Sequence, residues 1–261
     1  MRRPSIALTL ITVIALALIA STALTGCAAV RAATGGGGSG PLVVVLFDVS
    51  RSTSDPAVRA RYLDAFERVL DAVATQHGTL VGDVIDDDPL AHSTYPISAS
   101  FDACDPLTDN RLACDARAGR TRRDALNTAR TILASTDPAA GTDIHDGMAL
   151  AERVFASYPD ATSRSLVLLS DMVERSSRLN LGRPRFTDAS ITPTLDGLAA
   201  DASIPDLRGV SVYVVGAGVQ ASSGLASERF LLLERFWQTF VTRAGGTLPD
   251  ARYGAALVRF P

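Results

Sequence analysis

Lysine is missing from this chain, so all 25 Lys+Arg positions are arginine. Its absence excludes the phosphate-gripping lysine of a P-loop, any Schiff-base chemistry and any Ser-Lys dyad. Cysteine and histidine are scarce, with three of each, and none of them has zinc-site spacing. A Gly-x-Ser-x-Gly elbow is also lacking, which argues against a serine hydrolase. Long blocks of one charge are absent as well. The 28 acidic residues nearly balance the basic ones, for a net charge of -3. Nucleic acid is therefore not an expected partner, and no basic patch is present to draw the chain to a membrane.

What is present begins with a leader. Arg2 and Arg3 precede an apolar run from Ile6 to Ala20, in the order of a secretory signal and short for a membrane span. The run ends in Leu24-Thr25-Gly26-Cys27, which resembles the lipobox of bacterial lipoproteins. The resemblance implies that residues 1–27 carry a signal peptide and that Cys27 is lipidated as the mature N-terminus. The domain is then anchored to the extracytoplasmic face of the cell membrane, or to the outer membrane if the source has one. Residues 28–40, rich in Ala and Gly, read as a flexible tether. Export favours a structural disulfide between the two remaining cysteines, Cys104 and Cys114.

Residues 41–261 are expected to form one α/β domain. Leu42 to Phe47 is a continuous apolar run, the mark of a strand buried on both faces. Ser54, Asp55 and Pro56 signal a helix start, and Val58, Tyr62, Phe66, Val69 and Val73 recur at helical spacing up to Gly78. Further strands are expected at Leu80 to Ile85, Pro96 to Phe101, Leu166 to Leu169, Val210 to Val215 and Ala255 to Phe260. Helices are expected at Thr121 to Ala134, around Ile144, Met148, Ala151 and Phe155, and at Arg229 to Thr242. This alternation predicts a doubly wound, mostly parallel sheet with helices on both faces. The strand through Pro96 to Phe101 should return antiparallel at one edge. Ligands of such sheets bind beyond the carboxyl ends of the strands.

Three segments fall at that edge: Asp48-Val49-Ser50-Arg51-Ser52, Gly141-Thr142-Asp143 and Ser170-Asp171. All offer hard oxygen, which suits Mg²⁺, with Mn²⁺ or Ca²⁺ as alternatives, rather than zinc or copper. In this order and spacing they resemble the metal-ion-dependent adhesion site of von Willebrand factor type A domains, over about residues 41–261. The resemblance implies a Rossmann-like fold in which Ser50, Ser52 and Thr142 coordinate through hydroxyls. Asp48 and Asp171 would hold the ion directly or through water, and a partner's Glu or Asp carboxylate would complete its shell. One position departs from the pattern: Met172 stands where a glycine often follows the last aspartate. Asp143 either supports the ion through a neighbour or serves only as a helix-start acid.

Other candidates read differently. Asp86-Asp87-Asp88 lacks the glycine and terminal glutamate of an EF-hand loop and is expected to be a solvated turn. His145 is expected to be an exposed bystander, and His77 and His92 to lack partners. Arg175, Arg178, Arg183 and Arg185 read as a solvated loop, although they would also favour an acidic partner. The favoured function is thus a lipid-tethered binding module, not an enzyme, which captures a protein carboxylate through its metal. One alternative is a haloacid-dehalogenase-type phosphohydrolase using Asp48, against which Ser50 and the missing lysine count. The other is a structural envelope lipoprotein with an unused site.

Overall fold

The computed structural model describes residues 40–105, 107–135, 138–218 and 227–261. The leader, Cys27 and nearly all of the tether lie outside the described residues.

Strand β1, Leu42–Asp48, is buried along its whole length. Its side chains alternate between two cores. Leu42, Val44 and Leu46 enter one, and Val43, Val45 and Phe47 enter the other. Its backbone pairs in parallel with β2, Thr79–Ile85, on one side and with β4, Arg164–Leu169, on the other. A strand flanked and covered in this way has no polar face, which explains its apolar run. β3, Ile97–Ser100, returns antiparallel beside β2, as expected from the sequence. β5, Val210–Val215, and a short β6, Tyr253–Gly254, complete the order β3-β2-β1-β4-β5-β6.

Helices cover both faces. α1, Pro56–Thr75, and α3, Arg111–Leu133, pack on the Val43 side. α4, Ile144–Ser157, α5, Asp188–Ala200, and α6, Ser227–Arg243, pack on the Leu42 side, and a single turn, α2, Pro89–His92, follows β2. The fold is a Rossmann-like α/β sandwich with one antiparallel edge pair. Its chain leaves β1 for β2 on one side and joins β4 on the other. The crevice beyond the carboxyl ends of β1 and β4 is therefore the topological switch point, where open α/β sheets bind ligands.

Three expectations are corrected. α3 begins at Arg111, ten residues before the expected start, with the Asn110 side chain accepting from Ala113 N. Its first turns project from the domain, with Leu112 80% exposed, so no apolar periodicity marks them. α5 was not anticipated, because Pro193 and two threonines interrupt its pattern; Ser190 nevertheless accepts the Thr187 amide at its start. Ala255 to Phe260 is not a strand. The Gly254 carbonyl accepts both the Gly216 and Ala217 amides, which ends the ladder, and only Leu257 and Phe260 then pack back on the domain. Cys104 and Cys114 are bonded across a Cα–Cα distance of 6.0 Å, at the edge opposite the crevice. None of the described helices is long and apolar enough to cross a membrane.

Candidate functional site

Asp48 is the last residue of β1 and is 1% exposed. One of its oxygens accepts the Ser50 amide at 2.9 Å, and the other accepts the Ser170 hydroxyl at 2.7 Å. Past it the chain turns into a 3-10 turn at Arg51–Thr53. Thr53 Oγ1 lies within hydrogen-bond reach of the Asp48 and Ser50 carbonyls, at 2.7 and 3.0 Å, and fixes this turn. The turn sets Ser50 Oγ and Ser52 Oγ 3.1 Å apart, with Ser50 buried and Ser52 exposed. A buried carboxylate thus forms the floor, and two hydroxyls climb from it to the surface.

Asp171 follows β4, adjacent to β1 in the sheet, and is also buried. It accepts the Val173 amide at 2.8 Å. Burial first, and then the charge of Asp171, push the Asp48 carboxyl up to about 7, against the hydrogen bonds from Ser170 and Ser50. Asp48 makes no ion pair among the described residues. Burial and the charges of both aspartates also hold the Tyr62 hydroxyl well above the phenol range. That buried hydroxyl finds no hydrogen-bond partner among the described residues.

Met172 takes φ 63°, the left-handed conformation that glycine adopts freely. The loop therefore keeps the glycine geometry with a larger side chain. Two contacts hold it there: the Met172 amide donates to Ser170 Oγ at 2.9 Å, and Trp237 Nε1 donates to the Met172 carbonyl at 2.9 Å. The Met172 side chain is buried in the core. Met172→Gly relieves about 1–3 kcal/mol of backbone strain but forfeits about 2–5 kcal/mol of side-chain burial. Burial wins, so the variant is expected to lose about 1–2 kcal/mol in urea unfolding.

Thr142, also buried, reaches the same edge through backbone pairing. Its amide and carbonyl both bond to Arg175, each at 3.0 Å, four residues beyond Asp171. Ala139 N bonds to the Val49 carbonyl at 3.2 Å, so the 138–143 segment also leans on the Asp48 loop. A Cβ on Gly141 would sit 2.8 Å from the Arg175 carbonyl, which is why this close approach needs glycine. All three segments singled out in the sequence therefore meet at one edge.

His145 corrects an expectation. Far from an exposed bystander, its side chain is 0% exposed, with Nδ1 2.6 Å from Glu174 Oε1 and 2.9 Å from Asp143 Oδ1. Burial disfavours its charge, but the bonds to Asp143 and Glu174 prevail and push it up to about 10. Burial conversely pushes the Glu174 carboxyl up, against the bonds and charge of His145. Asp143 also caps α4, accepting the Asp146 amide at 3.1 Å. His92 has a partner too, Asp86, at 2.7 Å. The acidic turn is otherwise exposed or self-satisfied, with Asp86 accepting the Asp88 amide and Asp88 capping α2. Asp143-His145-Asp146, Asp86-Asp87-His92 and Cys104-Asp109-Cys114 are groups whose ligand atoms lie within 4.8 Å of one another. The last contains the disulfide. Arg175, Arg178, Arg183 and Arg185 are exposed, as expected.

No protein-family model matches this chain, and no curated protein matches it. The site stands on its own geometry. In the sequence Tyr62 reads only as a residue of the apolar face of α1, Ser170 only as the neighbour of Asp171 in an oxygen-rich segment, and Glu174 carries no site role. Only the Ser170 position beside Asp171 offered any signal.

Proposed function

We propose that this chain is a cell-envelope lipoprotein whose domain, of the von Willebrand factor type A kind, binds a divalent ion and presents it to a protein partner. Asp48, Ser50, Ser52, Thr142 and Asp171 would hold the ion, with Mg²⁺ the first choice and Mn²⁺ or Ca²⁺ the alternatives. The observation that carries the reading is the pair Asp48 and Asp171. Two neighbouring carboxylates are buried at a topological switch point, and burial, then the charge of Asp171, push Asp48 up to about 7. Buried charge without compensation is costly, and a divalent ion supplies that compensation. Hydroxyls rather than further carboxylates make up the remaining donors, so a bound ion stays electron-poor and open to an incoming carboxylate.

Binding fits this geometry better than turnover. A phosphoryl-accepting Asp48 usually wants a second aspartate two residues on, where this chain has Ser50, and often a downstream lysine, which this chain lacks. In this reading Cys27 anchors the domain to lipid, and the crevice faces a partner's Glu or Asp.

Water-proton relaxation with Mn²⁺ tests the proposal, because it reports both ion binding and the waters left for exchange. Enhancement that falls when an envelope partner is added is the expected result. Partner capture should be lost in chelator. The absence of any enhancement contradicts the reading.

A further inference from the structure

Beside the proposed ion ligands lies a buried cluster to which the reading above assigns no task. His145 lies in the first turn of α4 and Glu174 follows Asp171 by three residues. Both side chains are fully buried. The contact between them is double: Nδ1 approaches Glu174 Oε1 at 2.6 Å, and the His145 amide donates to Glu174 Oε2 at 3.1 Å. The same Nδ1 lies 2.9 Å from Asp143, the residue after Thr142. Ser176 Oγ donates to Glu174 Oε1 at 2.9 Å. The reciprocal backbone bonds between Thr142 and Arg175 run alongside.

Along the chain Thr142 and Asp171 are joined through α4 and β4, and beside them the Thr142–Arg175 backbone bonds bring their segments together, yet an ion held by both needs their side chains fixed as well. A buried ion pair is a poor source of stability compared with apolar packing of the same volume. What it supplies is direction, since the carboxylate fixes the ring, and the ring and helix amide fix the carboxylate. We infer that His145 and Glu174 are positioning residues for the ion, a clamp that holds Thr142 in register with Asp171. The inference rests on the divalent-ion reading. By closing Glu174 and Asp143 onto an imidazole, the clamp also keeps these two acids from competing with the five donors.

The test is a calorimetric Mn²⁺ titration of the chain from Ala28 onward, which carries both hydrophobic cores, as wild type, His145→Gln, Glu174→Gln and the double variant. Each single variant is expected to weaken the ion by about 10- to 100-fold, the range for residues that support metal ligands from behind. The double variant should lose no more than either single, because one clamp is lost once. Val154→Ala, a buried substitution further along α4, is expected to lower the melting temperature in chelator and leave affinity unchanged. That contrast separates positioning from a loss of stability alone. If His145→Gln does not fold, Ser176→Ala removes one bond to Glu174 and should weaken the ion a few-fold. Folded variants with wild-type affinity overturn the clamp. Absence of Mn²⁺ binding in the wild type overturns the ion reading, and the clamp with it.

Discussion

Asp48→Asn is expected to abolish divalent-ion binding while making the ion-free domain more stable than wild type at about pH 8. Most substitutions that destroy a binding site leave stability unchanged or lower it, so the opposite signs are diagnostic. The reason lies in the folded-state titration of Asp48, which is raised from 3.8 to about 7 by burial and by Asp171. A raised carboxyl binds its proton more tightly folded than unfolded. Its contribution is fully present below about pH 4 and is lost as pH rises through about 7. In chelator the wild type therefore loses stability across that window, by a few kcal/mol, whereas Asp48→Asn carries no charge there and keeps it. Urea unfolding of both proteins at several pH values, with and without Mn²⁺, measures the difference. With Mn²⁺ the wild type should recover at high pH and the variant should not respond.

Gly216→Ala should be the most damaging single methyl group in the crevice. Gly216 follows β5 at φ 109°, and a Cβ there would lie 2.6 Å from both Cε1 and the hydroxyl of Tyr62 and 3.0 Å from the Ser170 carbonyl. Backbone strain and overpacking each cost about 1–3 kcal/mol, so a loss of about 3 kcal/mol or more is expected by thermal or urea unfolding. The proposed ion site should suffer too: Ser170 holds Asp48 through its hydroxyl, and a shift in its backbone would tilt that carboxylate and weaken binding of the ion. Gly254→Ala, on the neighbouring strand, provides the control. A Cβ there meets nothing within 4 Å, and a change within about 0.5 kcal/mol is expected.

Much of this arrangement is legible in the sequence. β1 could be read because a strand buried on both faces has no polar alternation to confuse it, and its terminal Asp48 stood out against that apolar run. The antiparallel edge is read from the hairpin-like return through Pro96, and the connection that makes it carries the single turn α2. The meeting of the three segments at one edge follows from the alternating topology, which delivers them beyond the carboxyl ends of the strands. Ser170 escaped notice as the partner of Asp48 because that bond depends on the register between β1 and β4, 122 residues apart in sequence. His145 was misread for a different reason. Asp143 and Asp146 on either side suggest a solvated helix start, and only Glu174, brought in from the following segment, makes burial of the ring tolerable. α5 and the first turns of α3 carry weak apolar patterns, one interrupted by Pro193 and the other projecting from the core.

Calorimetry of Mn²⁺ binding to the chain from Ala28 onward, at about pH 5.5 and about pH 8 in buffers of different ionisation heat, tests the proposed ion site most directly. Binding should be tighter at the higher pH, with close to one proton released at the lower, because the ion must displace the proton that Asp48 holds when its carboxyl titrates near 7. Binding that is absent at both pH values, or indifferent to pH with no proton released, would contradict a site built on Asp48 and Asp171.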